Sequence, residues 1–404
     1  MKLGIDLKEL QNGNSVRGIG EVTKQVTSRL IPLLLANKFV EEISLYIYPN
    51  EATDVIALLN VSSDPRIAVK YFDPELNNKS LHAKLKSALH LINEKEIDAL
   101  DVYLAYSYVG YLPKSANTYL VWYDAITYKL YELDKKYTTR FPFNQLKKYR
   151  LLMKLGKAQK KWKMTSQLSK ANHLISISEF SKKDLQNTFQ KINAPIDVAF
   201  LGVSENPAKT SGTKEYKVEV PKKKYLLFLG GTDGRRDVTT LIEQFNKVKQ
   251  THVDMQLVLA GKSFENVDAI ERQDIKTAIL NSPFKDDIIT YGYITDEFKQ
   301  ELYQNAFAVV YPTLYEGFGL PVLEAMLAKT LILTYNNSSL PEVGGEHAFY
   351  VDNGKQIATK IEEMLQMTPD ERQQHIDAAY EYAKQFTWDK TAQRYYDIIM
   401  SNKA

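Results

Sequence analysis

Two glutamates, Glu316 and Glu324, flank a turn with two glycines and a proline in the stretch YPTLYEGFGLPVLEAMLA. The turn follows an apolar run and precedes a helical pattern. Pro321 suits the first helical position, because its φ is preset and it has no amide hydrogen to leave unsatisfied. We therefore expect a helix that begins at Pro321, with Gly317 and Gly319 at its N-terminal end.

The N-terminal end of such a helix suits an anion. Glycine lets the backbone approach a ligand closely, free amides point outward, and the helix dipole favours negative charge. Two carboxylates would repel the anion unless each accepts hydrogen bonds from a neutral group such as a sugar or ribose hydroxyl. The pattern therefore favours a nucleotide-sugar site, with Glu316 and Glu324 on the hydroxyls. The alternative is that Glu324 only interacts with the helix dipole and that Glu316 is an ordinary loop residue.

The whole chain has the composition of an ordinary globular protein. Its 404 residues are 44% hydrophobic and 25% charged, with a net charge of +3 and no cysteine. The length favours two domains, and the missing cysteine excludes disulfides and thiolate metal sites. The six histidines lack metal-ligand spacing, so we expect no metal and no cofactor. We see no export signal and no apolar run of ~20 residues, which predicts a cytoplasmic protein; no nucleic-acid partner is expected.

One segment departs from this charge balance. Twelve Lys or Arg residues lie between Lys135 and Lys170, and no Asp or Glu occurs from position 135 until Glu179. The apolar residues within the segment have helical spacing, which predicts an amphipathic helix with a cationic face. Such a face is either a solvated surface or a contact for an anionic membrane or a polyphosphate partner, and both readings stay open.

Short apolar runs alternate with helical patterns, which is typical of parallel sheets built from strand–helix–strand units. The predicted strands are 2–5, 43–48, 102–106, 118–124 and 173–178 in the first half, and 224–231, 255–261, 287–292, 307–312 and 330–335 in the second. We therefore predict an α/β fold with two doubly wound domains that join in the polar stretch 202–224. Ligands bind beyond the carboxyl ends of such strands, so the loops that follow the runs are the expected site, in a cleft between the domains.

Several stretches of the second half resemble the retaining glycosyltransferases of the GT-B fold, in particular glycosyltransferase family 4. They are EGFGLPVLEAM, FLGGTDGRRDVTTLIEQF, LVLAGK, ITYGYITDEFKQELYQNAFAVVYPT and SSLPEVGGEHAFYVD. In the first half, RGIGEVTKQVTSRL, VWYDAITYKLYE and ISISEFSKKDL are similar. The resemblance implies two Rossmann-like domains that face each other across a cleft. They are an acceptor-binding domain at 1–203 and a nucleotide-sugar-binding domain at 204–386, with a closing helix at 387–404 that packs back on the first.

The resemblance also implies roles for individual residues. Glu316 would contact the donor sugar, and Arg235 and Arg236 would stabilise the negative charge that grows on the leaving diphosphate. The alternative for the two arginines is a solvated turn. The donor-binding residues that the resemblance implies are Glu324, Gly317, Phe318, Gly319, Leu320, Gly18, Gly20, Gly231 and Ile294.

One position departs from the family pattern. Many members have histidine followed by aspartate where this chain has Tyr123 and Asp124. Tyrosine, with a pKa near 10, is a poor base at neutral pH. Asp124 is therefore the better candidate for a catalytic role in orienting the acceptor or the sugar, with Tyr123 on the acceptor side. The alternative is that Asp124 caps its loop.

These observations predict a cytoplasmic glycosyltransferase that moves a sugar from a nucleotide-sugar to a glycan, lipid-linked or protein-linked acceptor with retention of anomeric configuration, in cell-surface polysaccharide synthesis. Residues 135–170 would hold it peripherally on an anionic membrane, near a lipid-diphosphate-linked acceptor. Two alternatives remain open. One is a catalytically degenerate GT-B subunit that stabilises a partner transferase, and the other is a GT-B sugar phosphorylase or epimerase.

Overall fold

The computed structural model describes residues 1–11, 18–48, 52–60, 63–72, 99–108, 112–113, 116–126, 128–129, 158–204 and 219–401. The chain splits into two compact units. Of the described residues, those up to 125 together with 158–202 and 386–401 belong to the first unit. Those at 126, 128 and 129 and those from 203 to 385 belong to the second.

Within the described residues, the first unit is built on a seven-stranded parallel sheet in the order β3-β2-β1-β4-β5-β6-β7. The strands are β1 (Lys2–Asp6), β2 (Glu42–Ile47), β3 (Ile67–Tyr71), β4 (Val102–Ala105), β5 (Asn117–Trp122), β6 (His173–Ser176) and β7 (Ile196–Val198). Strands β4 and β6 are buried along their whole length, as expected of parallel strands covered on both faces.

The helices α1 (Gly18–Ala36), α2 (Ala52–Leu59) and α3 (Glu179–Thr188) belong to the same unit. The Ser178 side chain caps α3 by accepting a hydrogen bond from the Ser181 amide at 2.9 Å, which satisfies one of the free amides at the start of the helix. Residues 158–168, at the end of the basic segment, are helical as predicted, whereas 135–157 lie outside the described residues.

The second unit is built, within the described residues, on a six-stranded parallel sheet in the order β10-β9-β8-β11-β12-β13. Its strands are β8 (Tyr225–Leu229), β9 (Gln256–Ala260), β10 (Ile288–Tyr291), β11 (Ala308–Tyr311), β12 (Leu331–Tyr335) and β13 (Phe349–Val351). This is the strand order of the Rossmann fold, which reverses direction between the neighbouring strands β8 and β11. In open α/β sheets, ligands bind beyond the carboxyl ends of the strands at such a reversal point.

The helices of the second unit are α4 (Val238–Thr251), α5 (Gln273–Leu280), α6 (Asp296–Asn305), α7 (Leu320–Leu327), α8 (Leu340–Gly344), α9 (Ile357–Gln366) and α10 (Pro369–Ala383). Thr295 caps α6, and a reciprocal capping box of Thr368 and Glu371 begins α10. Helix α4 buries Leu241 and Phe245 on one face, so its apolar stripe anchors it to the core.

The last helix, α11 (Trp388–Ser401), packs against α1 within the first unit. Its Thr391 hydroxyl donates to the Phe200 carbonyl at 2.8 Å, and Arg29 of α1 forms an ion pair with Asp389 at 3.1 Å. Gly202 makes this packing feasible, because a Cβ there would lie 2.2 Å from the backbone nitrogen of Trp388. In the described part of the chain, no helix has the length and apolar character that crossing a membrane requires.

The predicted α/β fold with two doubly wound parallel sheets is confirmed. Each of the ten predicted strands is present, within two residues of its expected bounds. Strands β3, β7 and β13 were not predicted, and all three lie at the outer edge of a sheet. Strands β7 and β13 are only three residues long, and β3 is partly exposed along its length, so none of the three gives a long buried apolar run.

Candidate functional site

The loops that follow β8 and β11 form the candidate site of the second unit. The two strands pair at the point where the strand order reverses. Arg235 and Arg236 lie in the first loop, in a short 3-10 helix at Gly234–Arg236, and Glu316 lies in the second. The Leu314 amide donates to the Arg235 carbonyl at 2.7 Å, which joins the loops through their backbones.

The Glu316 carboxylate is the centre of a buried cluster, and its side chain is 11% exposed. Its Oε1 accepts hydrogen bonds from Arg236 Nη1 at 2.6 Å, from the Tyr311 hydroxyl at 2.6 Å and from the Thr313 hydroxyl at 3.2 Å. Arg235 Nη1 also donates to Oε1. None of these four contacts uses Oε2, so the second oxygen is the one that they leave for a further donor.

The two arginines are also paired with Asp233. Asp233 Oδ1 lies 2.9 Å from Arg235 Nε, and Asp233 Oδ2 lies 3.7 Å from Arg236 Nε. Burial lowers the pKa of Arg236, while the nearby Glu316 carboxylate acts in the opposite direction. The charge of the two guanidinium groups is thus matched by two carboxylates, which sequence reasoning did not foresee when it assigned both arginines to a diphosphate.

The second glutamate, Glu324, has a separate set of partners. Its Oε1 lies 3.2 Å from Lys299 Nζ, and its Oε2 accepts a hydrogen bond from the Tyr303 hydroxyl at 2.8 Å. Both partners lie on α6, and Lys299 and Glu324 are about one quarter exposed. Burial, followed by the negative charge of Glu324, raises the pKa of Tyr303 well above its usual value. The Tyr303 hydroxyl therefore stays protonated and donates at neutral pH.

Helix α7 begins at Leu320, one residue before the predicted position, with Pro321 in its first turn. Gly319 caps the helix with φ of 106°, in the left-handed region that favours glycine. A Cβ on Gly319 would also lie 2.9 Å from Leu340 Cδ2. Backbone conformation therefore requires the glycine, and a larger residue would also have to displace the Leu340 side chain; the glycine lets the buried loop at Gly317 turn directly into the helix.

The loop after β12 braces the Glu316 loop. The Ser339 hydroxyl donates to the Phe318 carbonyl at 2.8 Å and to the Glu316 carbonyl at 3.1 Å. The Glu316 amide donates to the Ser338 hydroxyl at 3.1 Å. These bonds fix the backbone around Glu316 from outside its own loop, which limits how far the carboxylate can move.

The other predicted residues of the second unit also follow strands. Gly231 lies just after β8, and an added Cβ there would meet only Asp233 Oδ2, at 3.7 Å. Half-buried Ile294 lies between β10 and α6. The structure therefore brings Arg235, Arg236 and Glu316 into direct contact, while Gly231 and Ile294 stay predictions for donor binding.

The remaining predicted residues belong to the first unit. Gly18 and Gly20 lie in the first turn of α1, and Tyr123 and Asp124 directly follow β5. Burial raises the pKa of Tyr123 well above its usual value, which keeps its hydroxyl protonated. The Ser181 hydroxyl donates to the Tyr123 carbonyl at 2.8 Å, and Asp124 is half-buried. These features agree with the view that Tyr123 is no base, and the role of Asp124 stays a prediction.

Sequence reasoning missed the partners of the two glutamates. Lys299 and Tyr303 are four residues apart in a predicted helix, which places them on one face, and this spacing was an available signal. Tyr311 and Thr313 flank the end of a predicted strand, where polar side chains reach a site. Among the described residues, no group of three or more His, Asp or Glu is arranged to hold a metal ion.

The second unit matches a known family. The family model of glycosyl transferases group 1 covers residues 213–382. A stretch of 232 residues is 28% identical to the O-antigen chain mannosyltransferase B of Escherichia coli. That match covers 55% of this chain and 58% of the relative, so the chain spans less than two thirds of the relative's own length.

Solved structures resemble the whole chain. Sucrose-phosphate synthase from Thermosynechococcus elongatus superposes with a TM-score of 0.68 and 15% identity, covering 99% of this chain and 98% of that one. The Anabaena protein HepE in complex with UDP-glucose superposes with a TM-score of 0.63 and 13% identity. The superposition covers 99% of this chain and 100% of HepE. At these identities the likeness shows the fold. Residues 213–382 therefore match the group 1 glycosyltransferase family, within a fold of the GT-B type.

Proposed function

We propose that this chain is a retaining glycosyltransferase of family 4 that transfers a sugar from a nucleoside diphosphate donor to an acceptor in cell-surface polysaccharide synthesis. The observation that carries the proposal is the contact of Arg235, Arg236 and Glu316 at the point where the strand order of the second unit reverses. Mannose is the first candidate sugar, because the E. coli relative is named as an O-antigen chain mannosyltransferase. A nucleotide-sugar donor is supported by the UDP-glucose complex of the HepE neighbour.

In this proposal the two glutamates bind hydroxyl groups on either side of the diphosphate. Glu316 would accept a sugar hydroxyl through Oε2, because the four contacts described above use Oε1. Glu324 would accept from the ribose. The diphosphate would lie at the start of α7, where the amides near Gly319 and Leu320 have no partner within the helix.

The proposed reaction depends on the negative charge that develops on the leaving diphosphate. As the bond between sugar and diphosphate breaks, negative charge grows on the leaving phosphate, and the α7 terminus together with Arg235 and Arg236 would stabilise it. Four donors on one oxygen reduce the nucleophilicity of Glu316, which favours a role as hydrogen-bond acceptor over covalent attack on the sugar. A phosphate oxygen of the donor would then take the proton of the acceptor hydroxyl. No metal or other cofactor enters this scheme.

The acceptor would be a glycan or a lipid-diphosphate-linked glycan at the cytoplasmic face of a membrane. Residues 158–168 support this part of the proposal. Their helix exposes Lys160, Lys161 and Lys163 and presents Trp162 with 72% of its surface exposed. Lysine attracts anionic headgroups and tryptophan favours the interface between lipid and water.

Sedimentation with vesicles tests the membrane contact. We expect binding to vesicles that contain anionic lipid, little binding to neutral vesicles, release by salt, and weaker binding of the Trp162→Ala protein. Equal sedimentation with neutral and anionic vesicles would contradict an electrostatic contact. Unchanged binding of Trp162→Ala would remove the helix at 158–168 from the contact.

The donor is tested by thermal shift with nucleoside diphosphates and their sugars, followed by a transfer assay. A ligand at a hundredfold excess over its Kd stabilises the native protein by about 2.7 kcal/mol, which is enough to rank the panel. We expect one diphosphate to dominate and the product to keep the anomeric configuration of the donor, as read by NMR. Release of sugar phosphate that depends on added phosphate would identify a phosphorylase. Conversion of the nucleotide-sugar without any acceptor would identify an epimerase. If no nucleotide or nucleotide-sugar stabilises the protein, the chain is a degenerate subunit.

A further inference from the structure

We propose that Tyr311 is a positioning residue that holds Glu316 and Arg236 in a fixed relation, with its hydroxyl on the carboxylate and its ring against the guanidinium. The inference rests on the proposed function, in which Glu316 accepts a hydroxyl of the donor sugar. It adds a residue outside the glutamate motif whose loss would change the orientation of that carboxylate. Tyr311 itself would not touch the donor.

Tyr311 is anchored more firmly than a loop residue. It is the last residue of β11, which lies between β8 and β12 in the sheet, and it is 1% exposed. The Thr334 hydroxyl on β12 donates to its backbone carbonyl at 2.8 Å. The strand thus sets the position of the ring, whereas Glu316 lies in the loop that follows. The Tyr311 side chain, which the sheet holds in place, can therefore set the position of the Glu316 side chain in the loop.

Two separate groups of Tyr311 contact the cluster. Its hydroxyl donates to Glu316 Oε1 at 2.6 Å, and the Arg236 Cζ lies 4.7 Å from the centre of its ring. Arg236 Nη1 donates to the same Oε1 at 2.6 Å. The three side chains therefore form a closed triangle, in which a cation–π contact and two hydrogen bonds to a charged group restrain one another.

The triangle determines which carboxylate oxygen remains for substrate. The Tyr311 and Thr313 hydroxyls and both guanidinium groups converge on Oε1, and rotation of the carboxylate would break all of these bonds at once. Without the Tyr311 hydroxyl, the carboxylate can turn toward Arg235 and Arg236, so Oε2 leaves the position in which it would meet the sugar. Misplacement of a group by ~1 Å can cost a hundredfold in rate.

The competing explanation is that Tyr311 only fills space in the core. Tyr225 provides a matched control, because it is a fully buried tyrosine on the neighbouring strand β8. Its hydroxyl donates to the Leu302 carbonyl at 2.7 Å, a backbone partner. Tyr225→Phe and Tyr311→Phe thus remove the same group from the same sheet, and only Tyr311→Phe removes a bond to Glu316.

Steady-state kinetics of the full chain tests the inference. For Tyr311→Phe we expect kcat to fall by roughly 10- to 100-fold while the KM for the nucleotide-sugar stays within about threefold, because orientation is lost and binding is not. Tyr225→Phe should keep kcat within about twofold. Tyr311→Leu also removes the aromatic ring that contacts Arg236, so its kcat should fall further than that of Tyr311→Phe. Equal kcat for Tyr311→Phe and Tyr225→Phe would overturn the inference.

A second measurement separates this inference from the proposed function. In a double-mutant cycle, Tyr311→Phe should lower Tm clearly in the wild-type background. In the Glu316→Gln background its effect on Tm should be less than about half as large, because the charged acceptor of the Tyr311 hydroxyl is already gone. Equal losses in the two backgrounds would overturn the inference even for an active enzyme. If the wild-type chain binds no nucleotide-sugar, the proposed function fails by itself, and the Tm cycle still decides whether Tyr311 holds Glu316.

Discussion

Glu316 and Glu324 are the same residue type in one motif, and each accepts a hydrogen bond from a buried tyrosine, yet their surroundings differ. Glu316 is 11% exposed, and one of its oxygens takes donors from two guanidinium groups and two hydroxyls. Glu324 is 25% exposed and divides its oxygens between Lys299 and Tyr303. The Glu316 carboxylate is buried and held by four donors, whereas the Glu324 carboxylate is one quarter exposed with one donor on each oxygen.

The difference teaches how one motif can supply two kinds of carboxylate. A buried carboxylate with four donors keeps one orientation and needs no reorganisation when a substrate group arrives, which suits contact near the reacting bond. A quarter-exposed carboxylate with a flexible lysine partner adapts at small cost, which suits a binding contact further away. We therefore expect changes at Glu316 to affect stability and kcat most, and changes at Glu324 to affect binding.

The largest expected effect is on stability. Glu316→Ala removes the carboxylate that two largely buried guanidinium groups share, and breaking a buried ion pair costs about 3–5 kcal/mol. Glu324→Ala leaves mainly the Tyr303 hydroxyl without its acceptor, which costs about 1–3 kcal/mol. Urea unfolding followed by circular dichroism measures both. Equal losses for the two variants would break the comparison.

The next effect is kinetic and uses variants that keep the shape of each side chain. Under the proposed function, Glu316→Gln should lower kcat roughly a hundred- to a thousandfold, as when one transition-state contact is lost. Glu324→Gln should raise the KM for the nucleotide-sugar and change kcat by less than about threefold. Kinetics with the preferred donor measures both. A kcat defect in Glu324→Gln as large as that in Glu316→Gln would contradict the division of roles.

The turn before α7 and the central strands of the sheet could be predicted from the sequence, because local residue preferences determine them. Gly319 adopts a left-handed conformation just before the helix that contains Pro321, and both residue types are favoured at such positions, so the turn is visible in residue types alone. The central strands are continuous apolar runs, which predict the sheet. The rule that ligands bind beyond the carboxyl ends of parallel strands then placed Glu316, Arg235 and Arg236 in loops at the same edge of the sheet.

The partners of each glutamate were not predictable in the same way. Which acceptor a guanidinium meets depends on loop conformation, and here Asp237, directly after Arg236, has φ of 41°. Such a value is uncommon outside glycine and has no clear sequence signal at an aspartate. The bond between Tyr311 and Glu316 depends on side chains meeting across the end of a strand, which spacing along the chain does not fix.

Tyr303→Phe sharpens the comparison through pH. At neutral pH we expect a loss of about 1.5–3 kcal/mol, because a hydrogen bond to a carboxylate disappears. The folded pKa of Tyr303 is raised well above 10, so its stabilisation is complete below pH 10 and declines as the unfolded chain ionises. The gap between wild type and variant should therefore narrow by about 1.4 kcal/mol per pH unit above pH 10. A gap that stays constant from pH 9 to about 11 would contradict a raised pKa.

The smallest effect concerns Lys299. Its ion pair with Glu324 spans 3.2 Å between side chains about one quarter exposed, and such pairs contribute only about 0.2–1 kcal/mol. Lys299→Met keeps the aliphatic stem and removes the charge, so unfolding at low salt should show a loss in this range. The loss should shrink in ~1 M salt, where the screening length falls to about 3 Å, whereas the loss in Glu316→Ala should change little because that cluster is buried. The comparison would be contradicted if the stability loss of Glu316→Ala depended on salt and that of Lys299→Met did not. Glu316 would then behave as the exposed carboxylate and Glu324 as the buried one.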